Sequence, residues 1–174
     1  MFTILGAGGA IGNELVKELT PRNEAIRLVS RNPTLVPGAA EAIAADLSNR
    51  DDTLKVVSGS RIVFLVIGLR YEIKVWRELW PRIMHNVIEA TKRSGARLIF
   101  FDNVYMYGKV SGPMTEETPF RPCSKKGEIR AQIATVLLNE MKAGSLTAQF
   151  TETFRFQPTS YAEGVRRTAQ SYRQ

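Results

Sequence analysis

The sequence predicts an α/β fold, with a doubly wound parallel sheet covered by helices on both faces. Strand-like apolar segments alternate with helical patterns through about the first 140 residues, and this alternation favours a parallel sheet. Ile62–Ile67 is a continuous apolar run, as expected for a central strand buried on both faces. A glycine-rich turn joins the first strand to the first helix. At 174 residues, the chain is long enough for one domain with its own core.

The first part of the chain carries three predicted strands and two predicted helices. Residues 2–5 are apolar and start the sheet, and the helical pattern that follows ends at Pro21. This helix is expected over Asn13–Leu19, with an apolar face formed by Ile11, Leu15, Val16 and Leu19. The other predicted elements are strands over Ala25–Val29 and Ala42–Ala45 and a helix over Asp51–Val57.

The longest helical pattern covers Glu72–Ser94 and ends at Gly95. Pro81 lies inside it and predicts a kink or a break. The remaining predicted elements are a strand over Leu98–Phe101, a helix over Lys125–Met141, an edge strand over Thr147–Phe150 and a short helix over Tyr161–Tyr172. We expect one nucleotide-binding domain over residues 1–142 and a short C-terminal segment over residues 143–174.

Composition and charge narrow the range of functions. The chain has 24 Lys and Arg against 17 Asp and Glu, a net charge of +7 that favours anionic partners. The basic residues are scattered and no nucleic-acid motif accompanies them, so a phosphorylated small molecule is a better expectation than nucleic acid. A single Cys and a single His give no internal disulfide and no usual zinc site, so we expect no metal and a cytoplasmic location.

The apolar segments are too short for a membrane protein. The longest strongly apolar run is six residues, far below the length that spans a bilayer. The sequence opens directly on an apolar strand with no basic flank, so we also expect no secretory signal.

The first turn carries the clearest chemical signal, a Gly-x-x-Gly-x-x-Gly pattern between a strand and a helix. Gly6 suits the tight turn, Gly9 removes a side chain where backbone would approach a pyrophosphate, and Gly12 permits close helix–sheet packing. The N-terminus of the following helix offers free amides to phosphate groups. We therefore predict a dinucleotide site that also includes Ala10 and Ile11. A glycine-rich turn that binds nothing is the alternative.

The end of the second strand bears on the choice of cofactor. An acid there would bind a ribose 2′-hydroxyl, whereas Ser30-Arg31 can bind a 2′-phosphate, so the sequence predicts NADP with NAD as the alternative. An arginine that is merely solvated is the competing interpretation. Asp46 and Leu47 are expected to border the adenine, unless this polar stretch caps the next helix. The residues at the end of the fourth strand complete the predicted cofactor site: Ile67, Gly68 and Leu69.

These features resemble the extended short-chain dehydrogenase/reductase family, in particular its NAD-dependent epimerase/dehydratase group. The resemblance covers about residues 1–142 and rests on the glycine pattern, Asp46-Leu47, Asn86 and the stretches 62–68, 101–108 and 113–119. Residues 154–173 look like the end of such proteins. The resemblance implies a Rossmann-type fold whose substrate-binding domain is largely missing, and a nucleotide sugar as the small-molecule substrate.

The resemblance also identifies positions where catalytic residues are expected. The family uses a Tyr, a Lys four positions later and a Ser or Thr, and these align with Cys123, Gly127 and Asn103. Tyr105 is a candidate substitute acid, and Cys123 is a candidate nucleophile or, alternatively, an inert thiol at a helix start. The candidate catalytic residues are thus Tyr105, Asn103 and Cys123.

The same resemblance implies a homodimer through helices 72–94 and 125–141. Trp76 and Trp80 lie on one face of the first of these helices and are expected in the core or at the interface. The expected function is hydride transfer, as an NADP-dependent oxidoreductase or nucleotide-sugar epimerase. The alternative is a dinucleotide-binding sensor or assembly subunit without catalysis, and a nucleic-acid-binding protein ranks last.

Overall fold

The computed structural model describes residues 1–112, 114–115 and 117–146. The predicted strand at 147–150 and helix at 161–172 lie outside these residues. The strands are β1 (Phe2–Leu5), β2 (Ile26–Ser30), β3 (Glu41–Ala44), β4 (Ile62–Leu65) and β5 (Arg97–Phe100). The α-helices are α1 (Ala10–Leu19), α2 (Arg50–Val57), α3 (Ile73–Ser94) and α4 (Lys125–Lys142), with a 3₁₀ turn at Thr20–Arg22.

The five strands form one parallel sheet in the order β3-β2-β1-β4-β5. The chain moves outward from β1 to β3, then crosses back to the other side of β1 and continues outward again. The strand order therefore reverses between β1 and β4, and parallel sheets bind ligands beyond the carboxyl ends of their strands at such a point.

Helices cover both faces of the sheet, which confirms the predicted doubly wound fold. On one face, α1 packs Val16 and Leu19 against β-strand residues such as Ile4 and Phe64. On the other face, α2, α3 and α4 share a larger core with strand residues that include Leu5, Val63 and Leu98. Along each strand, successive side chains enter opposite cores, as the period of two requires.

Two predicted features differ from the structure. Helix α1 begins at Ala10 rather than Asn13, because Gly9 adopts the extended conformation of an N-cap residue. Helix α3 runs without interruption through Pro81, so of the predicted kink or break the break does not occur. Trp80 and Ile83, on either side of the proline, are almost completely buried, and their packing offsets the backbone hydrogen bond that Pro81 cannot make.

No helix of the described residues is long and apolar enough to cross a membrane.

Candidate functional site

A cleft of about 420 Å³ lies at the carboxyl edge of the sheet, where the strand order reverses. Its floor comes from the turn after β1, its sides from the ends of β2, β3 and β4, and one wall from α3. The lining residues are Gly6, Ala7, Gly9, Ser30, Arg31, Asp46, Leu47, Ser48, Val66, Ile67, Gly68, Leu69, Leu79 and Ile83. All predicted cofactor residues belong to this set except Ala10, Ile11 and Gly12.

Backbone approaches two glycines closely where β1 joins α1. Gly6 has a φ of +114°, and a Cβ there would lie 2.8 Å from the backbone nitrogen of Ile67. A Cβ at Gly12 would lie 3.0 Å from the carbonyl oxygen of Gly6. The glycines thus let the turn lie directly against the end of β4 and let α1 start directly against the turn.

The N-terminus of α1 presents its amides without competition from side chains. Gly9 is the N-cap, and none of the residues Ala10–Asn13 is acidic. Asn13 is the first residue whose N–H donates inside the helix, to the Gly9 carbonyl at 3.0 Å, so the amides before it are free for an anion. Gly12 is buried, whereas Ala10 and Ile11 are exposed and face outward from the cleft onto the surface of α1.

Arg31 and Asp46 line the part of the cleft formed by the ends of β2 and β3. The Asp46 carboxylate accepts hydrogen bonds from the Ser48 backbone N–H at 2.9 Å and the Ser48 hydroxyl at 2.8 Å. These bonds lower the pKa of Asp46, and the nearby charges of Arg31 and Arg82 act in the same direction. The polar stretch that begins at Asp46 does supply the cap of α2, but through Asn49, whose side chain accepts the first-turn amides, and not through Asp46 itself.

Asn86 fixes the backbone beside Asp46 from the opposite wall. Its buried side chain donates to the Leu47 carbonyl at 3.0 Å, and the Thr53 hydroxyl reaches the same oxygen at 3.1 Å. Sequence reasoning placed Asn86 in the family pattern without this role, and it missed Arg82. The spacing of Leu79, Arg82 and Ile83 on one turn of α3 is the signal that could have found Arg82.

Aromatic side chains cluster beyond the carboxyl ends of β4 and β5, outside the residues that line the cleft. Trp76 is buried and contacts Tyr71 edge-on, with ring centroids 5.6 Å apart, and Tyr105 in a stacked arrangement at 6.3 Å. Trp76 and Trp80 also contact each other at 6.1 Å within the core, so neither lies on the outer surface of α3. The ammonium of Lys126 lies 2.9 Å from the centroid of the Tyr71 ring.

Arg130 and Asp102 form a buried ion pair behind these aromatic rings. The Arg130 Nε lies 3.3 Å from Asp102 Oδ1, and the guanidinium stacks 4.0 Å from the Trp80 ring. Burial raises the pKa of Asp102, although the charge of Arg130 opposes this shift. Within the described residues, the Arg130 Nε and Nη1 have no hydrogen-bond acceptor of good geometry, so the attraction between these two residues is mainly electrostatic.

The three candidate catalytic residues lie in different settings. Asn103 shapes the turn after β5, where its side-chain oxygen accepts the Tyr105 N–H at 3.0 Å. Tyr105 is 41% exposed at the edge of the aromatic cluster. The Cys123 thiol is exposed, one residue before the Ser124 N-cap of α4.

No group of three or more His, Cys, Asp or Glu side chains comes together in the part of the chain that the structure describes. His85, on α3, is exposed.

Comparison with known proteins places this geometry in context. Residues 6–141 match the model of a family described as NAD(P)H-binding. No curated protein matches the chain. Similar solved structures include uronate dehydrogenase from Agrobacterium tumefaciens, which is 18% identical with a TM-score of 0.71, over 84% of this chain and 57% of that one.

Two further structures share the fold. A UDP-galactose 4-epimerase is 20% identical with a TM-score of 0.74, over 84% of this chain and 53% of that one. MoeE5, solved in complex with UDP-glucose and NAD, is 23% identical with a TM-score of 0.70, over 85% of this chain and 51% of that one. These likenesses, with the family match, confirm the predicted resemblance to extended short-chain dehydrogenases and epimerases at the level of the fold. The chain spans a little over half the length of the structures it matches.

Proposed function

Because the chain belongs to the NAD(P)H-binding family, we propose that its cleft binds NADPH, with the pyrophosphate at the turn formed by residues 6–12. The observation that carries this proposal is the close approach at Gly6 and Gly12, where a Cβ would meet backbone at 2.8 and 3.0 Å. The same turn leads into the uncapped N-terminus of α1, whose free amides and partial positive charge suit a diphosphate.

The β2–β3 end supports NADPH over NADH. Ser30 and Arg31 line the cleft at the end of β2, where a 2′-phosphate would lie, and Arg82 contributes a second positive charge from α3. Asp46 is held by Ser48, and Asn86 keeps the Leu47 backbone in place, so this wall is rigid enough to border an adenine. Ile67, Gly68 and Leu69 line the cleft after β4, where they would contact the rest of the cofactor.

Calorimetric titration of the purified protein with NADPH and NADH tests this assignment. We expect both to bind, with NADPH tighter by about tenfold or more, since a charge-assisted phosphate contact contributes about 1.5–3 kcal/mol. Tighter binding of NADH would contradict the NADP preference. No heat with either dinucleotide would contradict the site itself.

We further propose hydride transfer on a small alcohol or carbonyl substrate, in the manner of an oxidoreductase or epimerase. A bound nicotinamide would supply or accept the hydride, and Tyr105, whose side chain is 41% exposed, would donate or accept the proton. Nucleotide sugars are the first substrates to examine, because the solved structures with this fold include a UDP-galactose 4-epimerase and a complex with UDP-glucose. Asn103 would act by shaping the Tyr105 turn, and Cys123 would remain a surface thiol.

One observation favours a second candidate, a dinucleotide-binding sensor without catalysis. The position that aligns with the family's lysine is Gly127, and a Cβ there would lie 2.6 Å from the Tyr105 carbonyl oxygen. A lysine at position 127 would therefore clash with the Tyr105 backbone, so the family's Tyr–Lys pair would not fit here. Tight NADPH binding without turnover of D-glucuronate, UDP-glucose or UDP-galactose would support the sensor.

A further inference from the structure

The cleft stops short of the carboxyl end of β5. Its lining residues come from the turn after β1, the ends of β2 and β3, the stretch after β4 and one face of α3. Among the described residues, those that follow β5 and those in the first turn of α4 contribute nothing to this lining. The cleft therefore serves four of the five strand ends at this edge of the sheet.

The groups that suit a phosphorylated adenosine are all present within the cleft. Leu47, Leu79 and Ile83 give it apolar surface against which an adenine ring can lie. The turn after β1 offers the free amides of α1 to a 5′-diphosphate. Ser30 and Arg31 offer a hydroxyl and a guanidinium to a 2′-phosphate. Each part of 2′-phosphoadenosine 5′-diphosphate thus has a chemical counterpart in the lining.

Packed aromatic rings close the cleft wall on α3. Leu79 lines the cleft, and Trp76 precedes it by three residues on the same face of the helix. Trp76 is only 5% exposed, because its ring contacts Tyr71 at 5.6 Å and Tyr105 at 6.3 Å. The face of α3 that is open beside the adenine side of the cleft is therefore covered one turn further along.

Lys126 joins the start of α4 to the loop after β4. Its ammonium donates to the Tyr71 carbonyl at 2.9 Å and lies over the Tyr71 ring. Beside it, a Cβ at Gly127 would lie 2.6 Å from the Tyr105 carbonyl oxygen, so α4 also lies directly against the turn after β5. The loop after β4, the turn after β5 and the start of α4 are thus in mutual contact between the cleft and the end of β5.

We propose that the cleft recognises the 2′-phosphoadenosine diphosphate part of NADP and NADPH, and that the nicotinamide ring contributes little to binding. The ligand class is then 2′-phosphorylated adenine nucleotides, whether or not they carry nicotinamide, and the oxidised and reduced cofactors bind alike. This inference rests on the proposed cofactor site and is independent of hydride transfer, because a ring outside the cleft can still meet a substrate.

Calorimetric titration of the full chain with matched ligands tests the proposal. The probe is 2′-phospho-ADP-ribose, which is NADP without the nicotinamide ring. We expect 2′-phospho-ADP-ribose, NADP and NADPH to bind with dissociation constants within about threefold of one another. ADP-ribose, which lacks only the 2′-phosphate, should bind about tenfold more weakly or worse. Nicotinamide mononucleotide should give no heat.

Two results would overturn the proposal. One is binding of 2′-phospho-ADP-ribose more than about tenfold weaker than that of NADPH, or a difference of that size between NADP and NADPH, since either would show that the protein holds the ring. The other is equal binding of ADP-ribose and 2′-phospho-ADP-ribose, since the 2′-phosphate would then go unread.

Variants separate the two ends of the ligand. Arg31→Ala should weaken 2′-phospho-ADP-ribose and NADPH by the same factor, about tenfold or more, because both carry the 2′-phosphate. Lys126→Ala removes the cation nearest the end of the cleft after β4 and should weaken neither ligand. A loss with Lys126→Ala that is confined to NADPH would contradict the proposal, because it would place the nicotinamide half against α4.

Amide resonances of ¹⁵N-labelled protein give a second measurement that does not depend on affinity. NADPH and 2′-phospho-ADP-ribose should shift the same amides, those of the cleft. Further shifts of Asn103 and Tyr105 with NADPH alone would show that the ring reaches the end of β5, and the proposal would be wrong.

Failure of the proposed function gives a different outcome. If the cofactor site itself is wrong, NADP, NADPH and 2′-phospho-ADP-ribose all fail to bind. If NADPH binds and 2′-phospho-ADP-ribose does not, the site stands and only the present inference falls.

Discussion

The first turn of α4 approaches the backbone of Tyr105 so closely that a Cβ at Gly127 would lie 2.6 Å from the Tyr105 carbonyl oxygen. The same Cβ would lie 3.0 Å from the Cβ of Pro122. Gly127 also donates its N–H to the Ser124 side chain that caps the helix, at 3.0 Å. One glycine therefore fixes the start of α4 and the turn that presents Tyr105.

The sign of the stability change in Gly127→Ala tests this contact. Alanine is favoured over glycine inside a helix by about 1 kcal/mol, so an open site would gain stability. Here overpacking costs about 1–3 kcal/mol, and we expect a net loss in the free energy of urea unfolding. The exposed Thr135→Ala in the same helix is the control and should be neutral or slightly stabilising. A more stable Gly127→Ala protein would show that the turn can move away at little cost.

Removal of the Arg31 charge should weaken NADPH binding selectively. The loss of one charge-assisted contact predicts about a tenfold or greater loss of affinity for NADPH and little change for NADH. Arg82→Ala should have a smaller effect in the same direction, since Arg82, on α3, lies outside the residues that line the cleft. Lys55→Ala removes a cation from the last turn of α2, outside the cleft-lining residues, and serves as the control. Equal losses for both dinucleotides with Arg31→Ala would argue against a 2′-phosphate contact.

Asn86→Ala should affect both stability and cofactor binding. It removes the buried donor to the Leu47 carbonyl, and a lost hydrogen bond of this kind costs about 1–2 kcal/mol. Because the same loop carries Asp46, NADPH affinity should also fall by a few fold. Asn139→Ala, at an exposed position of α4, should change neither quantity. An Asn86→Ala protein with normal stability would mean that Thr53 alone is enough to hold the loop.

The buried Asp102 predicts a particular pH dependence of stability. Its folded-state pKa is raised by burial, so its contribution to stability is complete below the unfolded value of about 3.9 and is lost as pH rises through the folded value. The unfolding free energy of the wild type minus that of Asp102→Asn should therefore decrease as the pH rises from about 3. Urea unfolding of both proteins at several pH values measures it. An increase with pH would show that the ion pair with Arg130 outweighs burial.

The features that could be predicted from the sequence are those that short segments determine by their own chemistry. The glycine spacing, the alternation of strands and helices, and the Ser30-Arg31 end of β2 are properties of short segments. Contacts between positions far apart in the chain could not be predicted from any local sequence pattern. These contacts are the close approach of Gly127 to Tyr105, the Asn86–Leu47 hydrogen bond and the Asp102–Arg130 ion pair. Pro81 is a case in which a local pattern predicts the wrong outcome. Proline disfavours a helix interior, but the buried packing of Trp80 keeps α3 continuous there.

The most direct test of the dinucleotide site follows the backbone amide resonances of ¹⁵N-labelled protein during titration with NADPH. A pyrophosphate at the first turn should shift the amides of Gly9, Ala10, Ile11 and Gly12 most strongly, with Ser30 and Arg31 also affected. If millimolar NADPH leaves these amides unmoved, or shifts only residues away from the cleft, then the turn after β1 is not a phosphate-binding turn.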